Sequence, residues 1–248
     1  MTETPDRSRE VAVWTLWIPD HAAAAARLAG MLDAEEAERA AGFRDPLARR
    51  RYVTSHVGLR LLIGRCLGIA PRDVAFRREV CGMTDCEQPH GRPVIAGRPG
   101  PSFSLSHAGD TALYAIAESP VGADIESAEL MAGGLDSVGR RLHSEEQRAI
   151  AALPPALRGP ALLGCWVRKE AYFKGLGTGL AAGIGRHHVG LPARFAPAEA
   201  PAGPPGWSLI DVPAPAGYRA AVAVRDDGDG GPADDRAPTV RVRPLRLP

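Results

Sequence analysis

The sequence predicts an α+β fold, and three observations carry that expectation. The chain has 248 residues, 45% of them hydrophobic, which is enough for one large domain or two small ones around a real core. Residues 49–67 hold an amphipathic helix of about five turns. Residues 103–106, 111–117 and 121–126 are three apolar runs separated only by turns. Strands so spaced pair locally instead of alternating with crossover helices, which argues against a regular βαβ sheet.

Residues 11–18 alternate aliphatic and aromatic side chains and read as the opening strand. Residues 21–30 form an Ala-rich helix, and Asp33 with Glu36 gives the next one a capping-box start. In the 49–67 helix Val53, Val57, Leu61 and Leu62 recur at helical spacing, and Gly68 and Pro71 close it. Arg49, Arg50 and Arg51 stand at its start, where cations oppose the helix dipole and a nearby anion would relieve them. Two short strands follow at 74–80 and 93–96. After the three central strands, a helix runs from Leu142 to about Ala152 and stops at Pro154 and Pro155. Another spans about 162–174 and stops at Gly175, with Gly177 and Gly179 keeping the chain beyond it non-helical. Residues 196–206 are a Pro/Ala/Gly-rich loop, 207–212 and 218–224 are closing strands, and 225–248 have a tail's composition.

Charge and patterning exclude several function classes. Thirty basic side chains face 29 acidic ones, a formal net charge of +1, without the basic excess of a protein that coats nucleic acid. The most lipid-like stretch, residues 59–70, is broken by Arg60 and Arg65 and cannot span a membrane. The first ten residues carry both charge signs and lack the apolar middle of a secretory signal, so a cytoplasmic location is expected. Cys66, Cys81, Cys86 and Cys165 read as reduced thiols. Cys81, Cys86 and His90 give three zinc-type ligands without a fourth, and a polar turn with incidental thiols is the better reading. Among the basic residues only Lys169 and Lys174 are lysines. In so Arg-biased a chain, two ammonium groups five residues apart mark a place where a compact point charge is wanted.

Three segments carry chemistry. In Val121-Gly122-Ala123-Asp124-Ile125-Glu126 the strand alternation puts Asp124 and Glu126 on one face, with Val121, Ala123 and Ile125 packing beneath. Two like charges there call for something positive between them, either a hard cation such as Mg²⁺ or an Arg or Lys. Gly122 lets another backbone approach closely. In the 162–174 helix Trp166, Glu170 and Lys174 stack at i, i+4 and i+8, with Lys169 a step round. Ser104, Ser106 and His107 end a strand, and with no Gly-x-Ser-x-Gly elbow a donor pair for phosphate fits better than a serine nucleophile and its base.

Taken together, these segments resemble the Sfp-type 4′-phosphopantetheinyl transferases. The matching motifs, in order, are Gly91-Arg92-Pro93 with Phe103 to His107, then Val121 to Glu126, then Trp166 to Leu180 with Lys169, Glu170 and Lys174 in place. The resemblance runs from about residue 11 to 225 and implies two similar α+β halves, 1–119 and 120–225, with the active site between them and 226–248 as a flexible tail. It implies transfer of 4′-phosphopantetheine from coenzyme A to a serine of an apo acyl or peptidyl carrier protein, with release of 3′,5′-ADP. It further implies Mg²⁺ dependence and a monomer, in secondary metabolism for instance, with neither nucleic acid nor membrane as partner. A coenzyme A-binding module without transfer activity is the alternative.

The resemblance also implies residue roles. Asp124, Glu126 and Glu170 match the acidic residues that hold Mg²⁺ with the pyrophosphate. Lys174 matches a lysine on the phosphates and Lys169 another basic contact. Ser106 and His107 match residues near the phosphates, Arg92 a basic contact, and Arg39 and Arg51 basic positions toward the 3′-phosphate. Glu146 matches a glutamate proposed as general base, with Glu145 equally available and a water on the metal as the other acceptor. The chain has Ala108 where the family often has Ser, and Ala123 where it has a larger aliphatic.

Overall fold

The computed structural model describes residues 10–81, 91–196, 203–226 and 238–248. Among them the elements run β1 (Glu10–Trp17), α1 (Ile18–Leu28), α2 (Ala34–Gly42), α3 (Pro46–Leu67), β2 (Phe76–Arg78), β3 (Pro93–Ile95), β4 (Ser102–Ala108), β5 (Thr111–Ala117) and β6 (Val121–Ser127). Then come α4 (Ala128–Met131), α5 (Leu135–Gly139), α6 (Ser144–Ala152), α7 (Pro155–Leu176), β7 (Trp207–Val212), β8 (Tyr218–Arg225) and β9 (Thr239–Pro244). The class is α+β: one sheet has the order β4-β5-β1-β9, a second β6-β8-β7, and β2 and β3 form a small antiparallel pair.

Period-2 patterning builds the layers. On β5, Ala112, Tyr114 and Ile116 face α1 and α3, while Leu113, Ala115 and Ala117 face the second sheet. On β8, Ala220, Val222 and Val224 face the first sheet and Ala221 and Ala223 face α7. The molecule is therefore two helix-backed sheets packed face to face. Alanines at the centre of both sheets let the layers close tightly, and dense interior packing is what such small side chains allow. No helix among the described residues is long and apolar enough to cross a membrane.

Where β4 runs beside β6, hydroxyl groups replace a backbone ladder. Val121 N donates to Ser102 Oγ at 3.1 Å and Ala123 N to Ser104 Oγ at 3.0 Å. Ser106 Oγ donates to Asp124 Oδ1 at 2.7 Å. The serines occupy alternate positions of one strand and so share its face toward β6.

The structure differs from the sequence reading in three places. The third helix starts at Pro46 with Asp45 as its cap, accepting from Leu47 N at 2.9 Å and Ala48 N at 3.2 Å. Arg49, Arg50 and Arg51 thus begin its second turn, beyond the reach of the dipole argument. The 162–174 helix begins at Pro155, because a proline is tolerated in a first turn whose N–H groups have no partner, and it continues through Pro160 and past the expected stop at Gly175 to end at Gly177. Finally, residues 239–244 are not tail. They form β9, parallel to β1 with Val240 opposite Val11, and Leu245 and Leu247 are buried in the first core.

Candidate active site

Two elements set the inner wall of the site. On β6 the face away from the first sheet carries Gly122, Asp124 and Glu126, and α7 lies across it. The approach is backbone on backbone: a Cβ on Gly122 would strike the Ala171 carbonyl and the Gly175 amide, and one on Gly175 would strike the Trp207 ring. This contact brings Glu170 and Lys174, one helical turn apart, over the two β6 carboxylates.

Asp124 is buried. Its Oδ1 accepts from Ser106 Oγ at 2.7 Å and from Lys174 Nζ at 2.5 Å, while its Oδ2 is buried without a hydrogen-bond partner. Burial raises the Asp124 carboxyl, and Lys174 and Ser106 pull it back. Burial, then the charge of Asp124, pushes Glu170 up to about 7. Glu126 is pushed to about 7 by burial, then Asp124, with Glu170 adding to the effect. Three carboxylates therefore repel one another around one lysine. Among the described residues no group of three His, Cys, Asp or Glu is close enough to share an ion as it stands. The donor set nonetheless suits a hard cation: carboxylate oxygens, one of them buried and unpaired, with more negative charge than a single ammonium offsets.

Outward from Lys174 opens a cleft of about 650 Å³ between α2, α3, the β2–β3 pair and α7. Arg39, Arg77, Arg78 and Arg92 line it with Lys174, as do the aromatic rings of Tyr52, Phe76 and Phe103. Tyr52 stacks on His56 at 3.8 Å between centroids, with the Arg39 guanidinium 5.8 Å from the Tyr52 centroid. Arg92 is fixed from both halves, by Glu79 at 2.7 Å and the Gly175 carbonyl at 3.2 Å. His107 also lines the cleft, and burial, then the charges of Lys174 and Arg51, lower its imidazole and keep it neutral at neutral pH. A basic, aromatic-walled cleft whose Lys174 bonds to the Asp124 carboxylate behind it matches a ligand with phosphates, a flat base and a divalent counter-ion.

The structure thus brings together Asp124, Glu126, Glu170 and Lys174, with Arg39, Arg92 and His107 on the cleft. It takes four of the sequence-predicted residues elsewhere. Glu146 and Lys169 are both fully buried and bonded to each other at 2.8 Å. Glu146 also accepts from His143 N at 3.0 Å and Val189 N at 2.8 Å, and Lys169 donates to the His187 carbonyl. Sealed from the cleft, neither can touch a substrate there, which corrects their expected roles as base and phosphate contact. Arg51 is held by Asp110 at 2.9 Å and does not line the cleft. Ser106 serves Asp124 and Lys174, not the cleft. Cys81 is buried and free, whereas Cys86 and His90 lie outside the described residues. Sequence reasoning missed Tyr52, His56, Arg77 and Arg78. The i, i+4 spacing of Tyr52 and His56 on α3 was the available signal.

Comparison with known proteins agrees with this geometry. A family model described as the 4′-phosphopantetheinyl transferase superfamily matches residues 120–222, which hold Asp124, Glu126, Glu170 and Lys174. The chain is 29% identical to 4′-phosphopantetheinyl transferase HetI of Nostoc sp. over 230 residues, 89% of this chain and 90% of that protein. It is 31% identical over 199 residues to a phosphopantetheinyl transferase of Thraustochytrium sp., 71% of this chain and 64% of that one. With 4′-phosphopantetheinyl transferase Sfp of Bacillus subtilis the identity is 28%, over 64% of this chain and 72% of the relative. By its fold, by the residues that converge on β6 and α7, and by these likenesses, the chain belongs to the 4′-phosphopantetheinyl transferase superfamily.

Proposed function

We propose that this enzyme moves 4′-phosphopantetheine from coenzyme A to a serine hydroxyl of an apo acyl or peptidyl carrier protein and releases 3′,5′-ADP. The observation that carries the reading is the carboxylate cluster with a buried unpaired Asp124 oxygen, joined through Lys174 to a basic, aromatic cleft. Asp124, Glu126 and Glu170 would hold the divalent cation, magnesium in this reading. Such a cation supplies charge neutralisation at the diphosphate, the main requirement of phosphoryl-type transfer. The acting form is a cytoplasmic monomer.

The chain's own residues supply the rest. Lys174 and Arg92 bind the diphosphate oxygens, and Arg39 with the Tyr52–His56 stack takes the nucleotide end. In the transfer, a bond forms between the serine oxygen and the phosphorus bearing pantetheine. The bond from that phosphorus to the 3′,5′-ADP oxygen breaks, and the electron pair leaves with ADP. The serine proton goes to Glu170, a carboxylate beside Asp124 and Glu126 on the face where the diphosphate would lie. Glu146 is too deeply enclosed for this step.

Mass spectrometry of apo carrier proteins incubated with the enzyme, coenzyme A and Mg²⁺ tests the reading. A phosphopantetheine-sized gain is expected, with Asp124→Ala slower by about 10²- to 10³-fold or more, as for loss of a preorganised electrostatic contact. Coenzyme A binding with carrier masses unchanged across the panel would favour a binding module without transfer.

A further inference from the structure

The site already contains a positive charge where the cation belongs. Lys174 Nζ lies 2.5 Å from Asp124 Oδ1 and 3.0 Å from Ser106 Oγ, and Ser106 bonds to the same Asp124 oxygen. The ammonium is thus anchored at two points, on a lysine in the last turn of α7, where the helix dipole also favours a cation. Yet the side chain is one-third exposed and lines the cleft, so its other side faces the ligand space. A lysine that served only to bind phosphate would not need Asp124, and one that served only as a buried counter-ion would not reach the cleft. Lys174 does both.

We propose that Lys174 is an exchangeable counter-ion: it neutralises Asp124 in the free enzyme and leaves for the diphosphate when coenzyme A binds, so that metal and coenzyme A bind in mutual dependence. This rests on the transferase reading above. A divalent cation arriving alone at the unpaired Oδ2 meets an ammonium already held on the other oxygen of the same carboxylate, and like charges that close repel strongly. A diphosphate arriving alone must draw Lys174 off Asp124 and leave that carboxylate uncovered. Each ligand removes the obstacle to the other, and linkage makes the gain equal in both directions. Lys174 is therefore a positioning residue for the metal as well as a contact for the phosphates. The enzyme without coenzyme A binds divalent cation poorly and so holds no idle metal.

The test measures binding and needs no turnover. Mn²⁺ binding to the full chain is followed by the paramagnetic resonance signal of free Mn²⁺, without carrier protein. Titrations are made with and without coenzyme A and corrected for Mn²⁺ held by coenzyme A in solution. In the wild type, coenzyme A should tighten Mn²⁺ about 10- to 100-fold, the usual span of a coupling between sites, and Mn²⁺ should tighten coenzyme A by the same factor. Lys174→Met should bind Mn²⁺ alone about tenfold or more tightly than the wild type, bind coenzyme A more weakly, and lose most of the coupling. Ser106→Ala, which frees one anchor of the ammonium, should move Mn²⁺ binding the same way by less, and it carries the test if Lys174→Met does not fold by circular dichroism. Lys174→Arg, which keeps the charge, should leave Mn²⁺ alone weak. If folded Lys174→Met or Ser106→Ala binds Mn²⁺ alone no better than the wild type, while coenzyme A still binds, the exchange is overturned and the transferase reading stands. If coenzyme A fails to bind the wild type with or without Mn²⁺, the transferase reading itself falls, and the exchange with it.

Discussion

Helices α3 and α7 are built to one plan and put to different ends. Each has 22 residues, starts on a proline and ends on a left-handed glycine, Gly68 with φ 66° and Gly177 with φ 80°. Each buries one cation completely at the same relative place, Arg60 and Lys169, against the glutamate of a capping box on the preceding helix, Glu36 and Glu146. Arg60, with more donors, also engages Asp33 and the carbonyls of Pro71 and Val74. Lys169 is satisfied by Glu146 and the His187 carbonyl alone. What the halves share is therefore scaffold, and the chemistry lies where they part. One residue past the buried cation, α3 has Leu61 and α7 has Glu170. Five residues past it, α3 has Arg65 and α7 has Lys174. Lys169 belongs to the shared plan, which explains why its place in a conspicuous motif misleads.

The largest effect expected from this comparison is on stability. Lys169→Ala and Arg60→Ala should each cost about 3 to 5 kcal/mol by leaving a buried carboxylate unpaired, seen as a lower denaturation midpoint in urea. Replacing both Lys169 and Glu146 by Met and Leu should recover most of that loss, with kcat retained by the folded enzyme. A folded Glu146→Gln variant that lost transfer by 10²-fold or more, the contribution of a general base, would break the comparison and return Glu146 to the chemistry.

A smaller effect separates the helix–sheet contacts of the two halves. A Cβ at Gly122 meets only backbone of α7, which cannot step aside, whereas one at Gly58 on α3 meets the far end of the Tyr114 side chain, itself bonded to the Ser55 carbonyl. Gly122→Ala should cost about 1 to 3 kcal/mol, the range of overpacking, and reduce transfer by shifting β6 against Glu170. Gly58→Ala should cost less and leave transfer unchanged in the folded protein.

The smallest expected effect is a slope with pH. Glu126 and Glu170 rise from 4.5 to about 7 on folding, so between those values the folded chain holds more protons than the unfolded one. Stability of the ligand-free enzyme should therefore fall as pH rises through this window. Melting temperatures across it should decline in the wild type and flatten in a Glu126→Gln, Glu170→Gln double variant.

Much of the fold was legible because strand and helix periods are local. The alternation of β1 and β4 to β6, the capping box at Asp33 and the glycine stop of α3 follow from neighbouring residues. The misread features depend on distant partners. β9 follows a long polar stretch and owes its existence to β1, more than 200 residues away in sequence. The start of α7 was hidden because Pro154 and Pro155 read as a stop, although a first turn tolerates proline. In the site, Asp124, Glu126, Glu170 and Lys174 were readable because strand and helix spacing fix their faces. Spacing cannot report burial, so Lys169 and Glu146 passed for reactive groups.

The row of serines between β4 and β6 has a consequence for how the two halves are held. A backbone ladder would lock the strands in a fixed relation, whereas hydroxyls rotate and can let go one at a time. The amides of Val121 and Ala123 are covered only by Ser102 and Ser104, so their exchange with deuterated solvent times the opening of this joint. Ser106, next in the row, holds Asp124. A loosening of the joint is therefore felt at the carboxylate on which the proposed transfer depends.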